Sequence, residues 1–185
     1  RVALVDALRE SCDIWFYDVA LKIGIDKIAA MARRLGLGTT YDIDIAGEKA
    51  GLIPTRGWKR AAIGSSWQKG ETVIAAIGQG YVLSTPMQLA VMTSRLVNGG
   101  FAVTPRLTRD RIEADFIAPK PEPEFPSIGI PEESRRIVMQ AMDEVVNHVR
   151  GTARRSRLKD PAMAMGGKTG TSQVRRISMS EREGG

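Results

Sequence analysis

The first 35 residues place apolar side chains with the period of an α-helix. Residues 2–8 carry one short apolar stripe, which Ser11-Cys12-Asp13 interrupts. A broader apolar run covers residues 14–23, and Asp26 can cap a third helix soon after it. The pattern predicts three consecutive helices, with the Ser-Cys-Asp triplet at the turn between the first two.

The middle of the chain is less regular. Glycines and a proline punctuate residues 36–70 and predict an irregular segment, with a short strand over residues 41–45 where polar and apolar positions alternate. A helix begins clearly at Thr85, because Pro86 can occupy its first turn and Gln88 completes a Thr-x-x-Gln capping box.

The second half predicts two strands and one long helix. Residues 101–103 are typical of a strand, whereas residues 104–130 hold five of the nine prolines and predict a surface excursion. Pro131 opens an amphipathic helix. Residues 166–174 combine glycines with alternating hydroxyl side chains, which predicts a strand at a sheet edge.

Composition narrows the classes of function. A chain of 185 residues with 43% hydrophobic content can build one domain with a core. The net charge of +6 suits an anionic polymer, but the few aromatic residues are not interleaved with basic ones, so we expect no nucleic-acid partner. The lone Cys12 excludes an internal disulfide framework, and the lone His148 excludes a multi-histidine metal site. We expect neither a metal nor a cofactor.

Lys168 stands out because glycines and hydroxyl residues surround it. A phosphate-binding P-loop would need a further glycine where Ala162 stands, directly after Pro161, so the nucleotide hypothesis is disfavoured. Lys168-Thr169-Gly170 also matches the Lys-Thr-Gly element of serine penicilloyl-transferring enzymes, which acts together with Ser-x-x-Lys and a Ser-x-Asn type triplet. An exposed strand with a chance lysine is the third possibility, and the tripeptide alone does not decide among them.

Four separate stretches occur in an order that favours the Lys-Thr-Gly interpretation. They are Ser11-Cys12-Asp13, the segment Ile77-Gly78-Gln79-Gly80-Tyr81 followed by Thr85-Pro86-Met87-Gln88-Leu89-Ala90, Gly151-Thr152-Ala153, and Lys168-Thr169-Gly170-Thr171. This order and spacing resemble the transpeptidase domain of class B penicillin-binding proteins, and most closely its cell-elongation members. The resemblance runs from about residue 2 to residue 176, and its Gly-Gln-Gly…Thr-Pro-x-Gln-Leu-Ala part is the most specific.

The resemblance implies an α+β fold of the penicillin-binding protein and serine β-lactamase type, with a helical cluster packed on an antiparallel sheet. Residues 1–185 would then be a truncated transpeptidase domain that lacks the upstream Ser-x-x-Lys segment and the downstream strands and helix. The implied activity is that of a peptidoglycan D,D-transpeptidase. A serine attacks the D-Ala-D-Ala end of a stem peptide, and an amine of a neighbouring stem resolves the acyl-enzyme.

Partners and location also follow from the resemblance. The implied partners are peptidoglycan stem peptides, β-lactam antibiotics that trap the serine, and other membrane proteins of cell elongation. The implied location is the cell inner membrane, with a single-pass anchor outside this chain and a periplasmic catalytic domain.

The resemblance assigns catalytic roles to three residues. Ser11 corresponds to the relay hydroxyl, and Asp13 to the third position of the triplet, where many relatives carry Asn. Lys168 would keep positive potential in the cleft. We therefore expect the Ser11 hydroxyl within a few ångströms of the Lys168 ammonium. Cys12 lies between Ser11 and Asp13, and we expect it to be a buried or half-buried residue and not a nucleophile.

Four residues are implied to bind substrate. Lys168 would hold the substrate carboxylate, and the hydroxyls of Thr169 and Thr171 would hydrogen-bond to it. The backbone N–H of Thr171 would supply one donor of an oxyanion hole. Gly170 would let the substrate peptide approach the strand edge.

The family's nucleophile should precede Ser11 by some tens of residues, which this chain does not supply. Two literal Ser-x-x-Lys matches exist, Ser66–Lys69 and Ser156–Lys159, but both follow the Ser-Cys-Asp triplet, against the family order. Gly70 follows the first match at once, and the second lies in a basic loop. We expect both to be decoys and the chain to be inert by itself, as a piece cut at both ends.

Other functions stay open on the sequence alone. A serine β-lactamase or a β-lactam sensor would share the Lys-Thr-Gly element, and a non-catalytic scaffold could bind peptidoglycan without the nucleophile. A binder of anionic polymers could use the basic cluster formed by Arg150, Arg154, Arg155, Arg157 and Lys159.

Overall fold

The computed structural model describes residues 3–43, 46–107 and 125–172. These ranges are mainly helical. The α-helices are α1 (Leu4–Arg9), α2 (Asp13–Ile23), α3 (Ile25–Arg34), α4 (Arg56–Ile63), α5 (Lys69–Ala76), α6 (Pro86–Val97) and α7 (Glu132–Asn147). Two short 3₁₀ turns, Arg154–Ser156 and Pro161–Met163, follow α7.

The three helices predicted at the start of the chain are confirmed as α1, α2 and α3. One detail was wrong, because Gly24 and not Asp26 occupies the N-cap of α3. The Asp26 carboxylate instead accepts a hydrogen bond of 3.1 Å from the backbone N–H of Arg56. Asp26 therefore joins α3 to the start of α4.

Helix α4 lies inside the segment that was predicted to be irregular. The Thr55 hydroxyl caps it by accepting from the backbone N–H of Trp58 at 3.0 Å, and Gly64 ends it in the left-handed conformation. The helix has only 8 residues and contains Gly57, so its sequence pattern is short and weak.

The capping box of α6 is confirmed. The Thr85 hydroxyl accepts from the backbone N–H of Gln88, and the Gln88 side chain accepts in return from the backbone N–H of Thr85. The same buried amide donates to the carbonyl oxygens of Thr39 at 2.7 Å and Ala50 at 2.8 Å. Gln88 therefore ties α6 to the irregular segment, which gives this motif a packing role.

Small residues allow the central helices to approach closely. α1 packs on α7, and α2 packs on α5 and on α3. The fully or nearly fully buried apolar residues of these helices are Ala7, Ala20, Ile25, Ala29, Ala75, Ala141, Val145 and Val146. The pair of α1 and α7 matters most for the site, because the candidate residues follow the ends of these two helices.

The predicted strands are not formed within the described residues. Pairing there is limited to two isolated antiparallel bridges, Leu52 with Leu83 and Phe101 with Ser127. Residues 41–43 and 166–172 carry no ladder, and residues 44–45, 173 and 174 lie outside the described residues, as do residues 108–124 of the predicted excursion. A strand exists only through the hydrogen bonds of a neighbour, so the antiparallel sheet stays a prediction.

Large apolar side chains are exposed on the described surface. Ile14 is 77% exposed, Val149 70% and Met163 62%. None of the described helices has both the length and the apolar content that crossing a bilayer demands.

Candidate active site

Ser11 lies at the turn between α1 and α2 in a conformation that is uncommon for its residue type. Its φ is 55°, in the left-handed region. The backbone N–H of Ser11 donates to Leu8 at 3.3 Å, and that of Cys12 donates to Ala7 at 2.8 Å, so both close the end of α1. The turn therefore has a defined backbone, and it fixes where the Ser11 hydroxyl lies.

The next two residues begin α2. Cys12 is the N-cap residue and is half-buried, as predicted. Asp13 is the first residue of α2 and is exposed. It lies at the N-terminal end of the helix, where a negative charge is favoured. The triplet thus presents one hydroxyl and one carboxylate beside a half-buried thiol.

Arg9 anchors the end of α1 to α7. Its guanidinium is buried, with 5% of the residue exposed, and it donates to the carboxylates of Glu144 at 2.7 Å, Glu10 at 2.7 Å and Asp6 at 2.5 Å. These hydrogen bonds raise the pKa of Arg9 further above its usual value. The hydrogen bond from Arg9 likewise lowers the pKa of Asp6 and of Glu144. Arg9 thereby holds the Ser11 turn against α7.

The chain that leaves α7 packs tightly against the end of that helix. A Cβ on Gly151 would lie 2.3 Å from the Val145 carbonyl oxygen, so only glycine fits there. The backbone N–H of Ala153 donates to Val145 at 2.9 Å, and that of Thr152 donates to the Arg9 carbonyl oxygen at 3.2 Å. The Gly-Thr-Ala segment therefore touches both α7 and the end of α1.

The Lys-Thr-Gly segment is held beside α7 by backbone contacts. The Gly167 N–H donates to the Met142 carbonyl oxygen at 3.0 Å, and the Asn147 side chain donates to the Met165 carbonyl oxygen at 3.1 Å. At its far end, the Gln79 side chain donates to the Thr171 carbonyl oxygen at 3.0 Å. These contacts take the place of the hydrogen bonds to a neighbouring strand that we predicted for this segment.

The structure brings Ser11 and Lys168 together, as the motif order predicts. The Lys168 ammonium donates to the Ser11 hydroxyl, and also to the Thr169 carbonyl oxygen at 3.0 Å and the Thr169 hydroxyl at 3.2 Å. Burial lowers the pKa of Lys168 below its usual 10.5, while the negative charge of Asp13 opposes that shift. The site therefore holds a lysine that loses its proton more readily than an ordinary one.

The other predicted substrate-binding residues lie along the same segment. The Thr169 hydroxyl is 3.0 Å from the Thr152 hydroxyl. A Cβ on Gly170 would meet nothing within 4 Å, so that position is open. Thr171 is exposed and is bound through its backbone to Gln79. Their roles toward a substrate stay a prediction.

Three residues near the site were not predicted to be there. Arg9 carries no motif signal, whereas Gln79 and Thr152 belong to the Gly-Gln-Gly and Gly-Thr-Ala stretches that carry the resemblance. Those stretches were the available signal, but from the sequence we gave neither of them a role at the site. Among the residues that the structure describes, no cluster of His, Cys, Asp and Glu could hold a metal ion.

The two Ser-x-x-Lys matches do not form a catalytic pair. Lys69 is the first residue of α5, so Ser66 lies before the helix, and its carbonyl oxygen accepts from Lys59 at 2.9 Å. Ser156 ends a 3₁₀ turn and Lys159 lies beyond it. Neither match places serine and lysine one turn apart on a helix, which their proximity would need.

The basic cluster that follows α7 is partly used within the protein. The Arg150 guanidinium pairs with the Glu10 carboxylate at 2.9 Å, and the Arg154 guanidinium donates to the Asn147 carbonyl oxygen at 3.2 Å. These contacts give two of the five cations a structural role.

Comparison with known proteins identifies the family. The family model for the penicillin-binding protein transpeptidase domain matches residues 1–181. The chain belongs to that family. This penicillin-binding protein chain is 37% identical to the peptidoglycan D,D-transpeptidase MrdA of Haemophilus influenzae over 179 residues, which are 96% of the chain and 27% of that protein.

Solved structures of PBP2 also match most of this chain. The crystal structure of Pseudomonas aeruginosa PBP2 in complex with WCK 5153 matches 94% of this chain and 39% of that one, with a TM-score of 0.80 and 39% identity. The complex of PBP2 and MreC from Helicobacter pylori matches 92% of this chain and 30% of that one, with a TM-score of 0.77 and 31% identity. The chain thus spans roughly a quarter of the curated relative and under half of either solved chain.

Proposed function

We propose that this chain is part of a peptidoglycan D,D-transpeptidase that crosslinks stem peptides through a serine acyl-enzyme and is inhibited by β-lactams. The hydrogen bond from Lys168 to Ser11 carries the proposal, because it joins two of the three motifs that acyl transfer in this family needs. The D,D-transpeptidase name of the relatives supports the reaction class.

Ser11 is proposed as the proton relay. Its oxygen accepts a hydrogen bond from Lys168, so its own proton is free to be donated to the leaving amine of the D-Ala-D-Ala bond. The departing proton can then be replaced from a neighbouring lysine. The lowered pKa of Lys168 suits such a transfer, because an ammonium with a lower pKa gives up its proton more readily.

Lys168 and Thr169 are proposed to bind the terminal carboxylate of the substrate. An ammonium and a hydroxyl within 3.2 Å of each other present two donors to one anion. The open surface at Gly170 gives the peptide access to the backbone, and the N–H of Thr171 supplies an oxyanion donor. Asp13 favours the charged form of Lys168.

The acylated serine is proposed to come from outside this chain, since neither Ser-x-x-Lys match lies on one helix. By analogy with the relative solved together with MreC, we also propose protein partners of the cell-elongation machinery. A membrane-anchored protein with a periplasmic catalytic domain is the location that fits this substrate.

Labelling with a fluorescent penicillin tests the proposal in the full-length transpeptidase that carries this chain. Lys168→Ala removes a contact between charged groups, which is worth roughly 1.5–3 kcal/mol, so we expect the second-order rate of labelling to fall about tenfold to a hundredfold. The melting temperature should stay close to that of the wild type, because Lys168 lies at the surface and is only partly desolvated there.

Lys69→Ala is the matched control, because Lys69 belongs to a Ser-x-x-Lys match outside the proposed site. It should label like the wild type. A Lys168→Ala variant that labels at the wild-type rate would contradict the proposal. A serine β-lactamase would instead hydrolyse the penicillin and release the label rapidly, whereas a transpeptidase retains it and crosslinks stem peptides.

A further inference from the structure

We propose that Thr152 is a positioning residue that orients the Thr169 hydroxyl toward the substrate carboxylate. This inference rests on the proposed function, since it assigns a role within the same site. The Thr152 and Thr169 hydroxyls are 3.0 Å apart, and either of them can be the donor.

The backbone of Thr152 is fixed from both sides. Its N–H donates to the Arg9 carbonyl oxygen at 3.2 Å, while the next residue, Ala153, donates to Val145 at 2.9 Å. The preceding Gly151 lies so close to the end of α7 that a Cβ there would overlap the Val145 carbonyl oxygen at 2.3 Å. Thr152 is therefore an exposed side chain on a well-held backbone.

Counting donors and acceptors shows that Thr152 can be the donor of this hydrogen bond. A threonine hydroxyl has one proton and two acceptor positions. The Lys168 ammonium can only donate, and it takes one acceptor position of Thr169 at 3.2 Å. If Thr152 donates to the second position, the Thr169 proton is left for an incoming anion, and the carboxylate receives hydrogen bonds from both Lys168 and Thr169.

Thr152 also connects the two sides of the site. Its backbone contacts Arg9, two residues before Ser11, and its side chain contacts Thr169, directly after Lys168. A substitution that keeps the hydroxyl should therefore preserve the site, whereas one that keeps only the shape should not.

The test compares three variants of the full-length transpeptidase by second-order labelling with a fluorescent penicillin. Thr152→Val keeps the shape and removes the hydroxyl, so we expect labelling to fall about two- to tenfold, the effect of one neutral hydrogen bond. Thr152→Ser keeps the hydroxyl and should label like the wild type. In a Thr169→Val background, Thr152→Val should cause no further loss, because its hydrogen-bond partner is gone.

A second readout separates positioning from a structural effect. The methyl ester of the same penicillin lacks the carboxylate, so Thr152→Val should label with it at the wild-type rate. If Thr152→Val lowers the melting temperature, Thr152→Ala replaces it in every comparison.

Two results would overturn the inference. One is equal labelling by Thr152→Val and Thr152→Ser, and the other is a loss that persists in full with the ester or in the Thr169→Val background. If Lys168→Ala labels at the wild-type rate, the proposed function itself is wrong. Failure of the Thr152 inference and failure of the proposed function are therefore distinguishable.

Discussion

At the scale of single residues, two opposing effects set the charge of Lys168. Burial lowers its pKa below 10.5, and the nearby Asp13 carboxylate raises it. A lysine is charged below its pKa, so the proposed carboxylate binding is present at neutral pH and is lost as the pH rises through the lowered value. An ordinary exposed lysine would keep its charge to a higher pH.

We expect Asp13→Asn to move the alkaline limb of penicillin labelling to lower pH. The variant removes the charge that raises the pKa of Lys168, so burial acts unopposed. Lys168→Arg should move the limb to higher pH, because a guanidinium keeps its proton. The measurement is the second-order labelling rate of the full-length protein between about pH 7 and 11, a range that spans the ordinary lysine value.

Asp18→Asn is the control, because Asp18 is an exposed carboxylate of the same helix whose partner is Lys22. Its alkaline limb should coincide with that of the wild type. An unmoved limb in both Asp13→Asn and Lys168→Arg would mean that Lys168 does not control binding.

Motif order predicted which residues meet, but not every contact they make. The proximity of Ser11 and Lys168 follows from two recognised motifs, and the structure confirms it. The contacts of Thr152 with Thr169 and of Gln79 with Thr171 depend on the paths of loops that are distant in sequence. Local pattern carries no information about such paths, so these contacts were not predicted.

At the scale of elements, the buried guanidinium of Arg9 links α1 to α7. Arg9 lowers the pKa of Asp6 and Glu144, whose ordinary values are 3.8 and 4.5. A carboxyl group with a lowered folded-state pKa contributes stability above its unfolded value and loses it as the pH falls through the folded value. The junction is therefore strongest at neutral pH and weakens in acid.

Arg9→Met should lower the melting temperature by several degrees at pH 7, because three carboxylates then lose their shared cation. The difference from the wild type should begin to narrow as the pH falls below the ordinary carboxyl values of 3.8 and 4.5. It should narrow further as the pH passes through the lowered folded-state values, where the wild-type carboxylates also become neutral. Melting curves of the full-length protein at a series of pH values measure this.

Lys22→Met is the matched control, since Lys22 and Asp18 form a pair whose side chains are 72% and 65% exposed. An exposed pair contributes little, so this variant should melt close to the wild type at each pH. A constant difference between Arg9→Met and the wild type across the pH series would show that lost packing, and not charge, explains the effect.

Helices were predicted better than strands for a physical reason. The apolar period of a helix is local, so the helices at the start of the chain, α6 and α7 were all predicted. Strands need partners from elsewhere in the chain, and residues 166–172 take their hydrogen bonds from Met142 and Gln79 instead. The short helix α4 was missed because 8 residues with an internal glycine give a weak pattern.

At the scale of the whole molecule, the contacts of the site come from widely separated parts of the chain. The end of α1 carries Ser11, the end of α7 positions Thr152, and the Lys-Thr-Gly segment supplies Lys168. Packing of α1 on α7 brings the three together. The family model covers almost the whole chain, yet the chain spans only about 27% of the MrdA relative. We therefore propose that the described residues supply binding and relay groups and that the rest of the protein supplies the nucleophile.

The purified chain of 185 residues should not be acylated by fluorescent penicillin, whereas the full-length protein should be. Ser11 is hydrogen-bonded to Lys168 as a proposed relay, and the serines of the two Ser-x-x-Lys matches lack a lysine on the same helix. An unactivated serine hydroxyl is a weak nucleophile, so labelling should stay at the level of a heat-denatured control. Far-UV circular dichroism of the chain, with the helical signal of α1–α7, establishes that the tested sample is folded. Labelling of the folded chain, mapped by mass spectrometry to Ser11, Ser66 or Ser156, would show that it carries its own nucleophile.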